Sequence, residues 1–306
     1  MSSQLSSSSS NIASSVRSNG FDLTTHKNVE EFLRACRDPL YELESVNSLL
    51  LGICERMSSQ SCAPKEAPLF VSVMKDGKVA AAAVMTPPHN PILACLAESD
   101  YAATRELAGY LANGRFEITG ITGPAASAFD FADAFTAIRG LSHSVIVKLR
   151  LYELAVVVHP SKKPGELRPA GLEGRALLIE WAGAFHAEAT PNDPMMDYAE
   201  MIDLDLKQHS IFIWENEEGQ PVSMVRKTRP TKNTISVNFV YTPPALRGRG
   251  YAAAAVADFS QLWLDNGYKR CVLFTDLSNP TSNSIYQKIG YTPVIDFDMY
   301  SFAAKL

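Results

Sequence analysis

The sequence predicts an α/β protein of α+β character, built as two domains of like order, each a mixed, mainly antiparallel sheet flanked by helices. Three observations carry that expectation. Stretches with apolar residues at helical spacing alternate with short apolar runs bounded by Gly, Pro, Asn or Asp turns. The chain has 306 residues, 46% of them hydrophobic, enough for two cores of about 150 residues each. The same succession is legible twice: helices, a hairpin with a glycine turn, a strand, a helix, a strand, a helix and a strand.

Half of residues 1–20 are serine, with too few large apolar groups to offset the entropy of ordering them, so this stretch reads as a disordered tail. From Phe21 the pattern changes. Val29, Phe32, Leu33, Leu40, Leu43, Val46, Leu49, Leu50 and Ile53 recur at helical spacing, predicting one or two amphipathic helices broken near Pro39. Leu69 to Met74 and Val79 to Met85 flank an Asp76-Gly77 turn and read as a β-hairpin. A strand near Ile92 to Leu96 follows, then a helix from Tyr101 to Ala112 stopped by Asn113-Gly114. A strand from Phe116 to Ile121, a helix from Ser127 to Ile138 and a strand from Val145 to Leu154 complete the first half.

Between Val158 and Pro169 the run of Pro, Gly and Lys has the composition of an exposed connector, which places a linker at 159–168 between a domain at 21–158 and another at 169–306. Helices then run from Leu177 to Ala187 and, after a Pro-rich break, to about His209. Ile211 to Trp214 and Val222 to Arg226 form a second hairpin around Gly219, and Ile235 to Tyr241 a further strand.

The net charge of −5 leaves no basic excess to neutralise phosphates, so nucleic acid is not the expected partner. No window approaches 18 uninterrupted apolar residues and no basic-then-apolar leader opens the chain, so neither a membrane span nor a signal peptide is expected; the expected location is cytoplasmic. The C-terminal Ala304-Lys305-Leu306 is similar to the small-basic-Leu peroxisomal signal, which matters only in a eukaryote. Five cysteines (Cys36, Cys54, Cys62, Cys95, Cys271), an odd number without C-x-x-C spacing, point to idle thiols rather than disulfides or a metal.

The chemistry is concentrated in Val237-Asn238-Phe239-Val240-Tyr241-Thr242-Pro243-Pro244-Ala245-Leu246-Arg247-Gly248-Arg249-Gly250-Tyr251-Ala252. It reads as a strand, a Pro-marked loop and a glycine-rich turn opening an Ala-rich helix. Gly248 and Gly250 let backbone approach a ligand, and the free amides and dipole of the first helical turn favour an anion there. The Lys-Ser/Thr of a P-loop is missing. A dinucleotide fingerprint survives on letters, with Ala253 at its third position, but the preceding hairpins, and a next strand Cys271 to Thr275 that ends in no acidic residue placed for a ribose, speak against it.

The pattern Arg247-x-x-Gly250-x-Ala252 resembles the pyrophosphate-binding signature, Q/R-x-x-G-x-G/A, of the GNAT superfamily of acyl-CoA-dependent N-acetyltransferases. A second segment agrees: the strand Cys271 to Thr275 runs into Asn279, and Tyr286 stands seven residues later before a closing Gly290-Tyr291. The two motifs span Val237 to Tyr291, and the strand order extends the likeness over Glu166 to Phe302, so the expected fold is two tandem GNAT-like domains.

This resemblance implies acetyl-CoA as cofactor. Phe239, Val240 and Tyr241 would pair with its pantetheine arm through their backbone, and Arg247, Gly248, Arg249, Gly250, Tyr251 and Ala252 would hold the pyrophosphate. Asn279, Ser282, Asn283 and Tyr286 would face the cofactor. Tyr286 fits the general acid that protonates the departing thiolate, and the Val240 amide would stabilise an oxyanion. The strand Ile235 to Phe239 offers no carboxylate as base, leaving a water relayed by Asn238, His209, Asp203 or Glu215; Asp276 is expected to orient the following loop.

The N-terminal half has no such signature, and Leu96 to Asp100 brings negative charge where a pyrophosphate would bind, so it reads as a degenerate GNAT-like domain. The implied function is N-acetylation of a small-molecule amine by a monomer or homodimer. The alternative is a non-catalytic acyl-CoA-binding or regulatory protein, which the missing strand carboxylate favours.

Overall fold

The computed structural model describes residues 14–59, 66–97, 100–114, 116–161, 163–191 and 193–305. In the N-terminal half these form β1 (Ser14–Ser18), β2 (Phe21–His26), α1 (Val29–Glu42), α2 (Ser48–Ser59), β3 (Leu69–Lys75), β4 (Lys78–Met85), β5 (Ile92–Leu93), α3 (Tyr101–Asn113), β6 (Gly120–Pro124), α4 (Ala125–Arg139) and β7 (Leu141–Leu154). The C-terminal half continues with β8 (Glu166–Pro169), α5 (Arg175–Ala189), α6 (Tyr198–Lys207), β9 (Ile211–Glu215), β10 (Pro221–Thr228), β11 (Thr234–Tyr241), α7 (Tyr251–Asp265), β12 (Arg270–Asp276), α8 (Pro280–Ile289) and β13 (Thr292–Ala304). Two compact units result: Met1–Glu42 with Met57–Ser144 and Tyr300–Leu306, and Leu43–Arg56 with Val145–Met299.

In the first unit the strand order is β1-β2-β3-β4-β5-β6. Neighbours are antiparallel except β5 and β6, which are parallel. The β3–β4 hairpin turns on Asp76 (φ 49°) and Gly77 (φ 77°), two successive left-handed residues of the kind a two-residue hairpin requires. Helices α3 and α4 bury Leu107, Leu111, Phe131 and Phe135 against the sheet residues Val71, Val73, Ala83 and Ile121.

In the second unit the order is β7-β12-β11-β10-β9-β8, with β11 and β12 parallel and the other pairs antiparallel. Alternation along the strands supplies both faces. Phe212, Trp214, Val222, Val225, Ile235 and Val237 pack with α7 residues Val256 and Phe259, while Ile211, Ile213 and Met224 pack with Leu178 and Trp181 of α5 and Ile202 and Leu206 of α6. Arg150 of β7 grips Asp296 of β13 through two bonds of 2.6 and 2.8 Å.

Several expectations meet corrections. Of the predicted tail, residues 1–13 lie outside the described residues, but Ser14–Ser18 pair along β2, with Val16 opposite Leu23. Pro39 does not break a helix; it lies inside α1, where the bond it forfeits is offset by full burial of Phe32, Cys36 and Leu40. The strand expected at Phe116 to Ile121 is β6, which begins four residues later at Gly120, a position where a Cβ would lie 2.1 Å from the Tyr300 carbonyl oxygen and only glycine fits. The C-terminal end of the predicted linker is β8, an edge strand in which Pro169 is tolerated and Arg168 bonds Glu215 at 2.5 Å.

Cys36, Cys54 and Cys271 are buried free thiols and Cys95 is half-buried; Cys62 lies outside the described residues. Burial pushes the Cys36 and Cys271 thiols up to about 12, which suits inert packing groups.

Segment 43–56 is fastened to the β10–β11 hairpin by Glu44. Its carboxylate accepts from the Thr231 hydroxyl (2.7 Å), the Asn233 amide N–H (2.6 Å) and Asn233 Nδ2 (2.7 Å). Burial opposes the charge, yet these donors win and hold the carboxyl below its ordinary 4.5. The folded state therefore gains from ionised Glu44 above that value and loses the gain as the pH falls through the depressed one. Glu44→Ala is expected to lower the unfolding free energy by about 1 kcal/mol at pH 7. In urea melts the wild-type advantage should shrink as the pH falls below the ordinary carboxyl value of 4.5.

Candidate active site

Strand β11 contains one residue too many for its partner. Met224 opposes Tyr241 and Arg226 opposes Asn238, so two steps along β10 match three along β11. The extra residue falls at Phe239, whose φ of 49° is a left-handed value rarely taken by a bulky side chain. Three contacts hold it there. The Phe239 N–H donates to Asn238 Oδ1 at 2.7 Å, its ring stacks on Phe185 at 4.5 Å between centroids, and the Arg226 guanidinium lies 5.5 Å from the same ring. The bulge also reverses the alternation of the strand. Ile235 and Val237 face the α7 side, but beyond the bulge it is Val240 that packs on that side while Phe239 and Tyr241 pack with α5.

On its other edge β11 leaves its neighbour. Thr234, Ile235 and Ser236 pair with Arg270, Cys271 and Val272, and the parallel register goes no further although both strands continue, to Tyr241 and Asp276. The backbone of Phe239, Val240 and Tyr241 thus lies on a stretch of β11 without a β12 partner, a template for an added extended chain.

The stretch ends at the glycine loop. Gly248 (φ 76°) and Gly250 (φ 85°) are both left-handed, and Gly250 precedes α7 with no side chain capping the helix. A Cβ on Gly248 would meet nothing within 4 Å, so the loop is open above it. The first-turn amides of Tyr251 and Ala252 are therefore free of a side-chain cap, as an anion site at a helix start requires.

Arg247 is already engaged: its Nη2 bonds Glu188 at 2.6 Å and its Nε donates to the Thr242 carbonyl at 2.9 Å. Arg249 is exposed, its Nη2 3.4 Å from the Ala245 carbonyl oxygen. Lys163 is a residue that sequence reasoning missed. Its Cε lies 2.8 Å from where a Cβ on Gly250 would sit, and the signal available was only a lysine in a run read as connector.

Helix α8 starts at Asn279, whose Oδ1 accepts the Ser282 N–H at 3.0 Å. Asn283 is committed within the protein: its Nδ2 donates to the Asp276 and Asn279 carbonyls, and its Oδ1 accepts from the Tyr152 hydroxyl at 3.0 Å. Asp276 Oδ1 accepts the Ser278 N–H at 2.7 Å, orienting the loop. Gly290 ends α8 in the left-handed conformation, a Cβ there falling 2.9 Å from the Val156 carbonyl oxygen, and buried Tyr291 bonds Ser260 at 2.8 Å. Tyr286 packs edge-on against Tyr291, 5.9 Å between centroids, on the same side of the sheet as Val240 and Tyr251. Burial pushes its phenol up to about 12, so it keeps its proton at neutral pH.

The residues weighed as base are spread out. Asp203 is paired with Arg175 and Glu215 with Arg168, each at 2.5 Å, and each arginine holds its carboxyl below the ordinary range. His209 is exposed at the end of α6. Asn238 alone of the four sits at the bulge. Among the described residues no three His, Cys, Asp or Glu side chains gather to hold a metal ion.

Residues 177–291 match the family model described as acetyltransferase (GNAT) family. No curated protein matches the chain. Among solved structures, a Drosophila protein determined as a structural-genomics target is similar with a TM-score of 0.65 at 12% identity, covering 90% of this chain and 96% of that one. A GCN5-related N-acetyltransferase from Sphaerobacter thermophilus follows with 0.59 and 14%, covering 95% and 98%. A tandem GNAT protein from the clavulanic acid biosynthesis pathway gives 0.50 and 12%, covering 94% and 99%. The likeness is one of fold, the mixed α/β fold with a mostly antiparallel sheet.

If the glycine loop depends on left-handed backbone, Gly248→Ala should lower stability by about 1 kcal/mol from conformation alone. Gly250→Ala should cost at least as much, since Lys163 must also shift. Gly183→Ala, in the interior of α5, should be neutral or slightly stabilising. Thermal melts of the three variants check the ordering.

Proposed function

We propose that this chain, whose residues 177–291 match the GNAT acetyltransferase family model, is an acyltransferase that moves an acetyl group from acetyl-CoA to the amine of a small molecule. The observation that carries the reading is the stretch Phe239 to Tyr241, free of β12 and leading into an uncapped, glycine-lined helix start. A donor with an extended amide-bearing arm and a pyrophosphate matches both features in one direction along the chain. When bound, acetyl-CoA supplies the activated thioester.

The protein's own groups have separable tasks. Backbone of Phe239, Val240 and Tyr241 holds the arm; the amides from Arg247 to Ala252 hold the pyrophosphate, with Arg249 and Lys163 supplying charge because Arg247 is partly neutralised by Glu188. Asn279 and Ser282 flank the arm from α8, whereas Asn283 acts by anchoring that helix start to Asp276 and Tyr152. The Val240 N–H is the donor offered to negative charge developing on the acyl oxygen. Tyr286, whose buried phenol keeps its proton at neutral pH, would serve as general acid to the leaving sulfur. The ammonium would lose its proton to solvent water oriented by Asn238, since the carboxylates of Asp203 and Glu215 are already tied to arginines.

A second reading, non-catalytic acyl-CoA binding, is favoured by the absence of a carboxylate on β11. In the first unit the corresponding helix α3 is capped by Asp100, which accepts the Ala103 N–H at 3.1 Å and the Lys75 ammonium at 2.8 Å. A carboxylate thus fills the place of an anionic ligand, and we assign the acyl-CoA site to the second unit alone. No helix among the described residues is long and apolar enough to cross a membrane. The C-terminal tripeptide ends in Leu306, outside the described residues.

Calorimetric titration should give saturable acetyl-CoA binding that the double variant Arg247→Glu, Gly250→Asp loses; no binding to the wild type removes the reading. Tyr286→Phe should retain acetyl-CoA affinity and lose at least about tenfold in turnover. Unchanged turnover would exclude Tyr286 as the acid.

A further inference from the structure

The face of β10 and β11 that carries Met224 is apolar where α5 and α6 cover it, but changes character toward the hairpin end. Arg226 and Thr228 of β10 and Ser236 and Asn238 of β11 continue that face, with Arg226 opposite Asn238 and Thr228 opposite Ser236. Helix α2 lies over this end: a Cβ on Gly52 would fall 2.3 Å from Arg229 Cβ. Four buried polar atoms here, Ser48 Oγ, Thr228 Oγ1, Arg229 Nε and Ser236 Oγ, have no hydrogen-bond partner. Buried polar atoms are rarely left so, and a cluster of them beside a reactive centre is what a polar ligand would complete.

The charge is uneven as well. Arg226, Arg229 and Arg56 converge on this end of the sheet, and Arg229 is pushed down to about 10 by burial and then by the other two guanidiniums. Of the carboxylates packed nearby, Asp205 is taken by Arg226 at 2.5 Å and by the Ser210 hydroxyl at 2.8 Å, and Glu44 is spent on Thr231 and Asn233. Arg229 itself makes no ion pair among the described residues, and its buried Nε has no hydrogen-bond partner. The distance to the reaction centre is short: Arg226 is one cross-strand pair from Asn238, about 5 Å, and its guanidinium lies against the Phe239 ring.

We propose that the acyl acceptor carries a carboxylate near its amine, and that Arg226 and Arg229, aided by Arg56, bind that carboxylate while the amine meets the Phe239–Val240 bulge. The inference rests on the acyl-transfer reading and deepens it to a substrate class, amino acids and related zwitterionic amines. Arg226 and Arg229 would then be specificity-determining residues, and Arg56, on the exposed side of α2, a positioning charge.

The full chain is assayed for thiol release from acetyl-CoA with glycine, alanine, phenylalanine and glutamate, each paired with its α-carboxamide. At least one acid should exceed its amide in kcat/KM by about 10- to 100-fold, the range expected for a hydrogen-bonded charge. Arg229→Met should erase that preference with the acetyl-CoA Kd unchanged. Should Arg229→Met fail to fold, Arg56→Ala, at an exposed site, should reduce the preference measurably. Calorimetry of the N-acetylated acids against the N-acetylated amides reads the same anion site without the cofactor. Equal use of acids and amides by the wild type, a preference untouched by both variants, or no tighter binding of any N-acetylated acid overturns the proposal. Loss of acetyl-CoA binding by the wild type overturns instead the acyl-transfer reading, and the calorimetric comparison then decides the anion site by itself.

Discussion

Phe239 keeps a left-handed backbone because its amide is bonded to the Asn238 side chain and its ring is clamped between Phe185 and Arg226. Much of the second unit's layout depends on that clamp. The extra residue turns Val240 to the α7 side and Tyr241 to the α5 side, so Trp181 meets Tyr241 on one face while Val240 joins Tyr251 and Tyr286 on the other. Pairing with β12 has already stopped at Ser236, so the bulge lies where the strand edge is open. A strained residue held by several contacts at a strand edge is the arrangement expected where backbone must serve a ligand rather than a neighbouring strand.

The two units show how small a chemical difference separates an occupied helix start from an available one. Both place a helix after a strand that has a parallel neighbour. In α3 the residue before the helix is Asp100, which supplies its own anion and recruits Lys75. In α7 it is Gly250, which supplies none, and Lys163 lies across it. The same dipole and free amides are satisfied internally in one case and left to an external anion in the other.

Much of this was legible in the sequence. The order of elements, the Asp76-Gly77 hairpin, the glycine-lined start of α7, the end of α8 at Gly290-Tyr291 and the charge on Asp100 all follow from local chemistry that letters carry. What was hidden depended on packing. Pro39 reads as a breaker until the burial of its neighbours is known, and the close approach of Tyr300 to Gly120, where β6 begins, is not written in the letters. Nothing in Val237 to Tyr241 announces an inserted residue, because a bulge is defined by its partner strand. The pairing of Arg247 with Glu188 and the gathering of Arg56, Arg226 and Arg229 join residues dozens of positions apart, beyond the reach of any spacing rule.

The central claim is that backbone left without a strand partner holds the acyl donor. Amide hydrogen exchange measures it directly, comparing the protein alone with the protein saturated by acetyl-CoA. The account predicts slowed exchange confined to Phe239 to Tyr241 and to the turn from Gly248 to Ala252. Protection that leaves these amides unchanged, or that gathers instead at the α3 start in the first unit, would contradict it.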